Sequence, residues 1–489
     1  MSQYQVLDRR RAGILLHPTS LPGENDHGDM GHQAYRFIEF LHKSGISVWQ
    51  TLPLGPTHED RSPYQCLSVH AGDPLLISMD WLVDRGWLAK DAVHGHALTD
   101  ELRVQYLSSA FENFLKNKTD YYKRYLDFID KEAYWLKDYA LFIAIRAQQG
   151  NKGWMHWPDE LRERDPDALL KAQAELQTDI ERLEFEQFVF FQQWVELKQY
   201  AHKHNILMFG DMPIFVAHDS AEVWAQRENF SIDKKGNASA VAGVPPDYFS
   251  ATGQRWGNPL YNWQHMQEKG FEWWIQRMQT QLELFDIVRI DHFRGFESFW
   301  EIPAKEETAI NGHWVKAPGK ELLEHLHARF DPLPIIAEDL GIITPEVDAL
   351  RQQFKIPGMK VLQFAFSDNA DNPYLPHNHE DNSVVYTGTH DNDTSLSWFQ
   401  SLNTNEQKRV NEYLGNSVEP MPWPLIRSAL GSVARLCVLP MQDILELGEG
   451  HRMNMPGTQT GNWKWRFSWD QVDKGLTDKL KNMTRLYLR

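Results

Sequence analysis

The sequence predicts a parallel (β/α)₈ barrel that carries large helical insertions. Eight short runs rich in β-forming residues recur along the chain, and helical segments lie between them. Most of the runs are nearly continuous in apolar residues, as expected for strands that are covered on both faces. Alternating strands and helices of this kind are typical of a parallel barrel. A doubly wound open sheet is the alternative that the same alternation allows.

The eight predicted strands are defined by their apolar runs. In chain order they span residues 12–17, 47–52, 206–211, 286–290, 334–338, 360–366, 384–388 and 435–440. Residues 299–302 are a ninth candidate, which leaves the number of barrel strands open.

Helical periodicity and capping signals define the segments between the strands. Residues 34–43 repeat apolar side chains at helical spacing. Thr344 and Pro345 are typical of an N-cap followed by the first helical residue. Thr404 with Gln407 fits a capping box, which predicts another helix start.

The spacing of the predicted strands is uneven. About 150 residues, mostly helical, separate the second strand from the third, and about 75 separate the third from the fourth. We therefore expect a single catalytic domain over residues 1–489. Its two insertions are expected at about 54–204, mostly helical, and at about 217–285, with a lid loop and helices.

Composition excludes several classes of protein. Of the 489 residues, 42% are hydrophobic, which is too many for a disordered chain. The net charge of -17 argues against nucleic acid or an anionic membrane as the main partner. Cys66 and Cys437 are too few for a disulfide framework. With no signal-peptide pattern and no long apolar run, the expected location is the cytoplasm.

Three acidic residues follow predicted strands. They are Asp291 after the fourth strand, Glu338 at the end of the fifth and Asp391 after the seventh. A single acidic residue in such a position more often caps the next helix. Three of them converge on the C-terminal ends of the barrel strands, where barrel enzymes hold their active sites. The sequence therefore predicts a site built from carboxylates.

The chemistry of glycosidic bonds gives each carboxylate a role. Cleavage with retention needs a carboxylate nucleophile and a protonated carboxylic acid about 5–5.5 Å apart. Asp291 fits the nucleophile, because Arg289 points to the same strand face and would keep it ionised; an ordinary salt bridge is the alternative for Arg289. Glu338 fits the acid, because the apolar run before it would raise its pKa. Asp391, beside His390, would bind sugar hydroxyls and favour a distorted ring.

Histidines near strand ends leave a metal-dependent hydrolase open as an alternative. His17, His292 and His390 lie where such an enzyme places its ligands. Donors to sugar hydroxyls, or histidines with structural partners, explain these residues better. We therefore expect no catalytic metal and no cofactor.

Residues 241–261 are punctuated by glycine and proline, so they are expected to be neither helix nor strand. The segment carries four aromatic residues, Tyr248, Phe249, Trp256 and Tyr261. Over a barrel mouth it would be a lid whose rings stack on sugars, whereas a loop that packs on itself is the alternative. The 19 tryptophans of the chain fit either sugar stacking or a large core.

Taken together, these segments resemble the amylomaltases, which are the 4-α-glucanotransferases or disproportionating enzymes of glycoside hydrolase family 77 in the α-amylase clan. The resemblance runs from about residue 11 to the end of the chain. Besides the carboxylate segments and residues 241–261, the matching motifs are SPYQ at 62–65, GDMPIFV at 210–216, QDIL at 442–445 and RMN at 452–454.

The resemblance implies a transferase that moves α-1,4-glucan segments to the 4-OH of a glucan or glucose acceptor, by a retaining double displacement with a covalent intermediate. It implies Asp291 as nucleophile, Glu338 as acid/base and Asp391 as stabiliser. Around the cleaved sugar it implies roles for Tyr64, Asp211, Arg289, His292 and His390. Near the acceptor it implies Tyr248, Phe249, Trp256, Asn258 and Pro259. It also implies a chain without the C-terminal β-domain of amylases.

Two other functions share these residues. An α-amylase-like hydrolase would use water as the acceptor, and a non-catalytic glucan-binding barrel would bind without cleaving. The expected partners are α-1,4-glucans, maltooligosaccharides and glucose, without nucleic acid or membrane.

Overall fold

The structure, a computed structural model, describes residues 7, 9–23, 27–93, 98–117, 120–246, 250–367, 369–458 and 460–489. Its strands are β1 (Arg11–Leu15), β2 (Val48–Gln50), β3 (Leu207–Pro213), β4 (Ala240–Val244), β5 (Gln254–Pro259), β6 (Ile287–Asp291), β7 (Ser298–Pro303), β8 (His313–Lys316), β9 (Ile335–Ala337), β10 (Gly358–Val361), β11 (Ser383–Tyr386) and β12 (Leu436–Pro440).

The helices cover the outside of the strands and fill the long connections. They are α1 (His32–Lys43), α2 (Met79–Asp84), α3 (Lys90–Val93), α4 (Asp100–Lys116), α5 (Asp120–Lys131), α6 (Ala133–Gln148), α7 (Asp159–Arg162), α8 (Pro166–Glu175), α9 (Gln177–Lys203), α10 (Ala221–Ala225), α11 (Trp263–Glu268), α12 (Glu272–Leu284), α13 (Gly319–Arg329), α14 (Pro345–Gln353), α15 (Ser395–Ser401), α16 (Thr404–Tyr413), α17 (Trp423–Gly431), α18 (Met441–Ile444) and α19 (Leu476–Leu486).

Eight strands form one parallel sheet in the order β10-β11-β12-β1-β2-β3-β6-β9. Each of the eight overlaps one predicted strand, although the strand predicted at 360–366 is Gly358–Val361 and continues as a 3₁₀ helix at Leu362–Phe364. Each lies beside the barrel strand that precedes it in the chain. The two ends of the sheet meet where the Ala337 N–H donates to the Pro357 carbonyl at 2.9 Å, joining β9 to the start of β10. The sheet is therefore a nearly closed barrel, and the predicted (β/α)₈ fold class is confirmed. Among the described residues after Pro440, none forms a strand.

The barrel interior is filled by every second residue of the strands. On β6, Ile287 belongs to the interior cluster, whereas Val288 and Ile290 pack outward against the helices. This alternation follows from the period of two in a strand. The apolar side chains that fill the interior are Leu15, Val48, Leu52, Phe209, Ile287, Ile336, Met359, Val361, Val384, Tyr386, Leu436 and Val438.

A second sheet lies outside the barrel, in the order β5-β4-β7-β8, and its strands pair antiparallel. Its strand β7 contains residues 299–302, so the ninth strand candidate is a strand but not a barrel strand. The prediction that residues 241–261 form neither helix nor strand is wrong, because β4 and β5 pair within this segment. The glycine and proline residues made this segment resemble a loop. Strand β4 also pairs with β7, which is distant in sequence, so the sheet is not visible in the local pattern.

Two predicted helix starts can be compared with the structure. Helix α14 begins at Pro345 after the N-cap Thr344, as predicted. The capping box of α16 uses Asn403 and Glu406, one residue before the predicted pair. Asn403 is extended, with φ -69° and ψ 164°, and its side chain accepts from two backbone amides. Thr404 is already helical, so it cannot be the cap.

No helix of the described residues is long and apolar enough to cross a membrane.

Candidate active site

The Arg289 guanidinium lies between two carboxylates at the C-terminal end of the barrel. Its Nη1 donates to both oxygens of Asp211, at 2.7 and 2.6 Å, and its Nη2 donates to Asp291 Oδ1 at 2.7 Å. Asp211 pairs with Arg289 in the β3–β6 register, and Asp291 is the next interior position on β6. The alternation of β6 therefore points Arg289 and Asp291 to the same side, as the sequence predicts.

Asp211 and Arg289 are buried, and a tyrosine bonds to the same cluster. Asp211 is 1% exposed and Arg289 is 4% exposed. Burial lowers the pKa of Arg289, but the charges of Asp211 and Asp291 outweigh it and raise that pKa well above its ordinary value. Tyr64 donates its hydroxyl to Asp211 Oδ2 at 2.8 Å. Arg289 is therefore ion-paired with both Asp211 and Asp291.

Glu338 directly follows strand β9, which lies next to the strand that ends at Asp291. Ile290 and Ala337 are paired in the β6–β9 register, so the two acidic residues occupy neighbouring positions at the strand ends. The backbone amides of His292 and Leu340 donate to Glu338, at 2.7 Å to Oε2 and 3.0 Å to Oε1. These bonds fix the plane of the carboxyl group between the two loops.

The two acidic side chains differ in protonation. Burial, followed by the charge of Asp291, raises the pKa of Glu338 to about 8, against the smaller effects of Arg289 and the two amides. Burial raises the pKa of Asp291 as well, but its direct contact with Arg289 opposes this. The guanidinium bonds to Asp291 and not to Glu338, so near neutral pH Asp291 is the ionised member and Glu338 holds the proton.

His292 lies beside the pair formed by Asp291 and Glu338. It has a left-handed backbone, with φ 55°, and caps the 3₁₀ helix Phe293–Phe296. Burial lowers its pKa to about 3, so the ring is neutral. Its ring contacts the edge of Trp256, with centroids 4.9 Å apart at 87°. Its Nε2 has no hydrogen-bond partner among the described residues, which leaves a buried polar atom for a ligand.

Asp391 stands opposite on the loop after β11. Its side chain is 44% exposed, and its Oδ2 lies 3.4 Å from His390 Nε2. Asn454 donates through Nδ2 to Asp391 Oδ1 at 2.6 Å. Arg452 donates to the backbone carbonyl of Asp391. The exposed carboxylate is thus oriented by a loop that lies more than sixty residues later in the chain.

Aromatic rings form the wall between Asp391 and the Arg289 cluster. Tyr64 and His390 are stacked, with centroids 5.2 Å apart at 14°. Trp463 lies against both rings, at 5.9 Å from Tyr64 and 6.0 Å from His390. His17 is buried after β1, and burial with nearby His390 lowers its pKa to about 3. These rings line one side of the charged cluster.

Sequence reasoning missed the residues that hold this loop. Asp443, 1% exposed, accepts from the Thr387 hydroxyl at 2.6 Å and from both the amide and the hydroxyl of Ser395, at 2.7 and 2.6 Å. It thereby ties together the two ends of the loop that carries Asp391. The motifs at 442–445 and 452–454 include these positions, but their roles depend on contacts with the distant loop of Asp391, which no local pattern predicts.

The residues expected on the acceptor side differ in their exposure and in their contacts. Trp256 is partly exposed beside His292. Asn258 is buried, donates to the Val216 carbonyl at 2.9 Å and accepts from Gln65 at 3.2 Å. Pro259 is a buried residue in the pairing of β5 with β4. Tyr248 and Phe249 lie outside the described residues.

Within the described ranges, no three His, Cys, Asp or Glu side chains are grouped as ligands of a metal ion.

The barrel fold and the paired carboxylates at its mouth define an enzyme that acts on glycosidic bonds. The family model described as 4-alpha-glucanotransferase, from glycoside hydrolase family 77, matches residues 16–472. The chain therefore belongs to this family, which confirms the family, enzyme class and transferase activity expected from its motifs.

Individual relatives agree over nearly the whole chain. The 4-alpha-glucanotransferase of Synechocystis is 49% identical over 99% of both chains. That of Thermus thermophilus is 48% identical over 94% of both. Among solved structures, an amylomaltase from Streptococcus agalactiae in complex with acarbose has a TM-score of 0.96 and 38% identity, covering 98% of this chain and 100% of its own.

Proposed function

We propose that the chain transfers α-1,4-glucan segments by double displacement on Asp291 and Glu338. In the first step, an Asp291 oxygen bonds to the anomeric carbon while the bond from that carbon to the leaving O4 breaks, and Glu338 gives its proton to that O4. In the second step, the 4-OH of an acceptor gives its proton to Glu338 and attacks the same carbon, which frees Asp291. The observation that carries this proposal is the neighbouring position of the two carboxyl groups, of which only Asp291 bonds to the Arg289 guanidinium.

The surrounding residues bind and orient the sugar. Asp391 is exposed and held by Asn454, so it accepts hydrogen bonds from hydroxyls of the glycosyl unit. Neutral His292 and the His390 ring supply further polar contacts. Tyr64 and Asp211 act through Arg289, because both belong to the network that fixes its guanidinium. These charges and hydrogen bonds act best where water is excluded.

Acceptor choice is assigned to the segment of residues 241–261. Trp256 is the partly exposed aromatic ring beside His292, and it stacks on an incoming glucose unit. Tyr248 and Phe249 are proposed to extend this surface. Asn258 and Pro259 support it from beneath, because their buried contacts hold β5 in place. The substrates are α-1,4-glucans and maltooligosaccharides, with glucose as a further acceptor.

We also propose a single catalytic domain and a cytoplasmic location. Residues 1–489 act as one catalytic domain, and the insertions at about 54–204 and 217–285 shape the mouth. The chemistry uses carboxylates, arginine and histidine, so no metal or cofactor takes part. The negative net charge fits a cytoplasmic enzyme without nucleic acid or membrane partners.

One incubation tests the proposal. Purified protein is given maltotriose alone, and the products are separated by chain length while reducing ends are counted. A transferase yields glucose and a ladder of longer chains with little net gain in reducing ends. A hydrolase yields mainly new reducing ends, and a binding protein yields no product; either result would refute the proposal. Asp291→Asn serves as the blank for contaminating activity.

A further inference from the structure

Trp314 is an exposed tryptophan on the edge strand β8. It is 38% exposed, although tryptophan is usually well buried. The Arg294 guanidinium carbon lies 3.7 Å from its ring centroid, and Trp300, its partner in the β7–β8 register, meets it edge-on at 5.1 Å and 67°. Guanidinium and indole contacts of this kind hold a ring in one orientation. Trp314 is therefore a fixed apolar surface that faces solvent.

This surface is joined to both catalytic loops. Arg294 lies in the 3₁₀ helix that begins two residues after Asp291. The same guanidinium donates to the carbonyl of Ile342, which lies on the loop that follows Glu338 and is 53% exposed. Arg294, which stacks on one side of Trp314, therefore bridges the loops after β6 and β9. A ligand on Trp314 lies on the rim of the same barrel mouth.

The four-stranded sheet also links Trp314 to Trp256. Trp256 is on β5 beside His292, and Trp314 is on β8 at the opposite edge. Three strand spacings of about 4.8 Å separate these edges, which is about 14 Å. The strand register places the two side chains on opposite faces of the sheet. An acceptor on Trp256 must therefore pass around the sheet, over more than about 14 Å, to reach Trp314, which a glucan of several units can do and glucose cannot.

We propose that Trp314 is an outer binding surface for the distal part of a long α-1,4-glucan acceptor. The inference rests on the proposed transferase function, which supplies a glucan at the mouth. The apolar C–H face of a glucose ring stacks on the exposed indole, and Trp300 with Arg294 keeps that indole in place. The surface adds affinity for long acceptors and does nothing for an acceptor of one or two units.

The test compares acceptor lengths in matched variants. Trp314→Ala removes the surface, and Trp314→Phe keeps an aromatic ring. Trp469→Ala is the control, because Trp469 is also a partly exposed tryptophan with an arginine, Arg36, 4.2 Å from its ring centroid, but packs against α1 on the outside of the barrel. Each protein is assayed for KM with glucose and with long maltooligosaccharides as acceptors, and for retardation in gels that contain glycogen.

Trp314→Ala is expected to raise KM for long acceptors by about 3- to 10-fold and to reduce retardation by glycogen. KM for glucose as acceptor and turnover of maltotriose alone stay unchanged. Trp314→Phe recovers most of the loss, and Trp469→Ala behaves as wild type.

Unchanged KM and retardation in folded Trp314→Ala would overturn the inference, as would equal losses for glucose and long acceptors. Failure of the transferase proposal is a different result, because wild type would then form no ladder from maltotriose.

Discussion

The backbone amide of His292 and the carboxyl group of Glu338 are joined by a hydrogen bond of 2.7 Å. His292 directly follows Asp291, so this bond connects the loop of one acidic residue to the side chain of the other. The Glu338 amide in turn donates to the Ile290 carbonyl at 3.0 Å. The bond between the Glu338 amide and Ile290 holds the two strand ends together whatever the side chains are, whereas the bond from His292 depends on a side-chain oxygen at position 338.

Removing either carboxylate is expected to abolish transfer while preserving the fold. Asp291→Asn removes the nucleophile and Glu338→Gln removes the proton donor, so the rate should fall by about 10³-fold or more. Both replacements keep the size of the side chain. Turnover of maltotriose measures the effect, and circular dichroism checks the fold. A folded variant that kept more than about a tenth of the wild-type rate would contradict the assignment.

The pH dependence follows from the raised pKa of Glu338. The acid must be protonated for the first step, and its pKa is about 8 instead of the ordinary 4.5. Activity should thus persist through neutral pH and fall about tenfold per unit above pH 8. The measurement is kcat/KM against pH with a maltooligosaccharide donor. α-Glucosyl fluoride is the control, because its leaving group needs no proton and the alkaline loss should disappear.

Asn454 is expected to be a positioning residue for Asp391. Asn454→Ala removes the 2.6 Å hydrogen bond to Oδ1 and should lower kcat/KM by about 10-fold. Asn454→Asp places a second negative charge there and should lower it further. The control is Asn462→Ala, an amide in the same C-terminal segment that bonds to Thr458. Equal activity of the two Asn454 variants and the control would refute this role.

Acceptor choice should depend on the rings of residues 241–261. Trp256→Ala removes the ring that contacts His292, so the ratio of transfer to hydrolysis should fall by about fivefold, which corresponds to one aromatic contact of about 1 kcal/mol. Alanine at both Tyr248 and Phe249 should act in the same direction. The ratio is measured from chain-length products and new reducing ends. An unaltered ratio in folded, active variants would exclude the segment from acceptor selection.

Activity should survive exhaustive dialysis against a chelator, because the proposed steps use only side-chain groups. Maltotriose turnover before and after dialysis provides the comparison. Loss of activity that zinc or calcium restores would revive the metal-dependent alternative.

The barrel could be predicted because its strands carry their own signal. The run before Glu338 is apolar at every position and buried on both faces, so its strand is visible without its neighbours. The outer sheet gives no such signal. Strand β5 contains exposed Gln254 and Arg255, and its pairing arises only when the chain folds.

In the candidate site, contacts within one strand could be predicted from the sequence, and contacts between distant segments could not. The link between Arg289 and Asp291 follows from the period of two within one strand. The contacts of Asp391 with Asn454, and of Thr387 with Asp443, join segments far apart in sequence. Strand patterns say nothing about which distant loop meets which, so these partners required the folded structure.

The alternation of β6 restricts how this gene segment can change. Arg289 and Asp291 face the interior, while Val288 and Ile290 face the helices. Deleting or inserting a single codon in β6 before Arg289 would turn both charges towards apolar helices and bring Ile290 into the barrel. A substitution in this strand can have a small effect on the fold. A one-residue insertion or deletion reverses the facing of every strand residue on one side of it. Length variation among functional descendants should therefore collect outside this strand, in connections such as the one between β2 and β3.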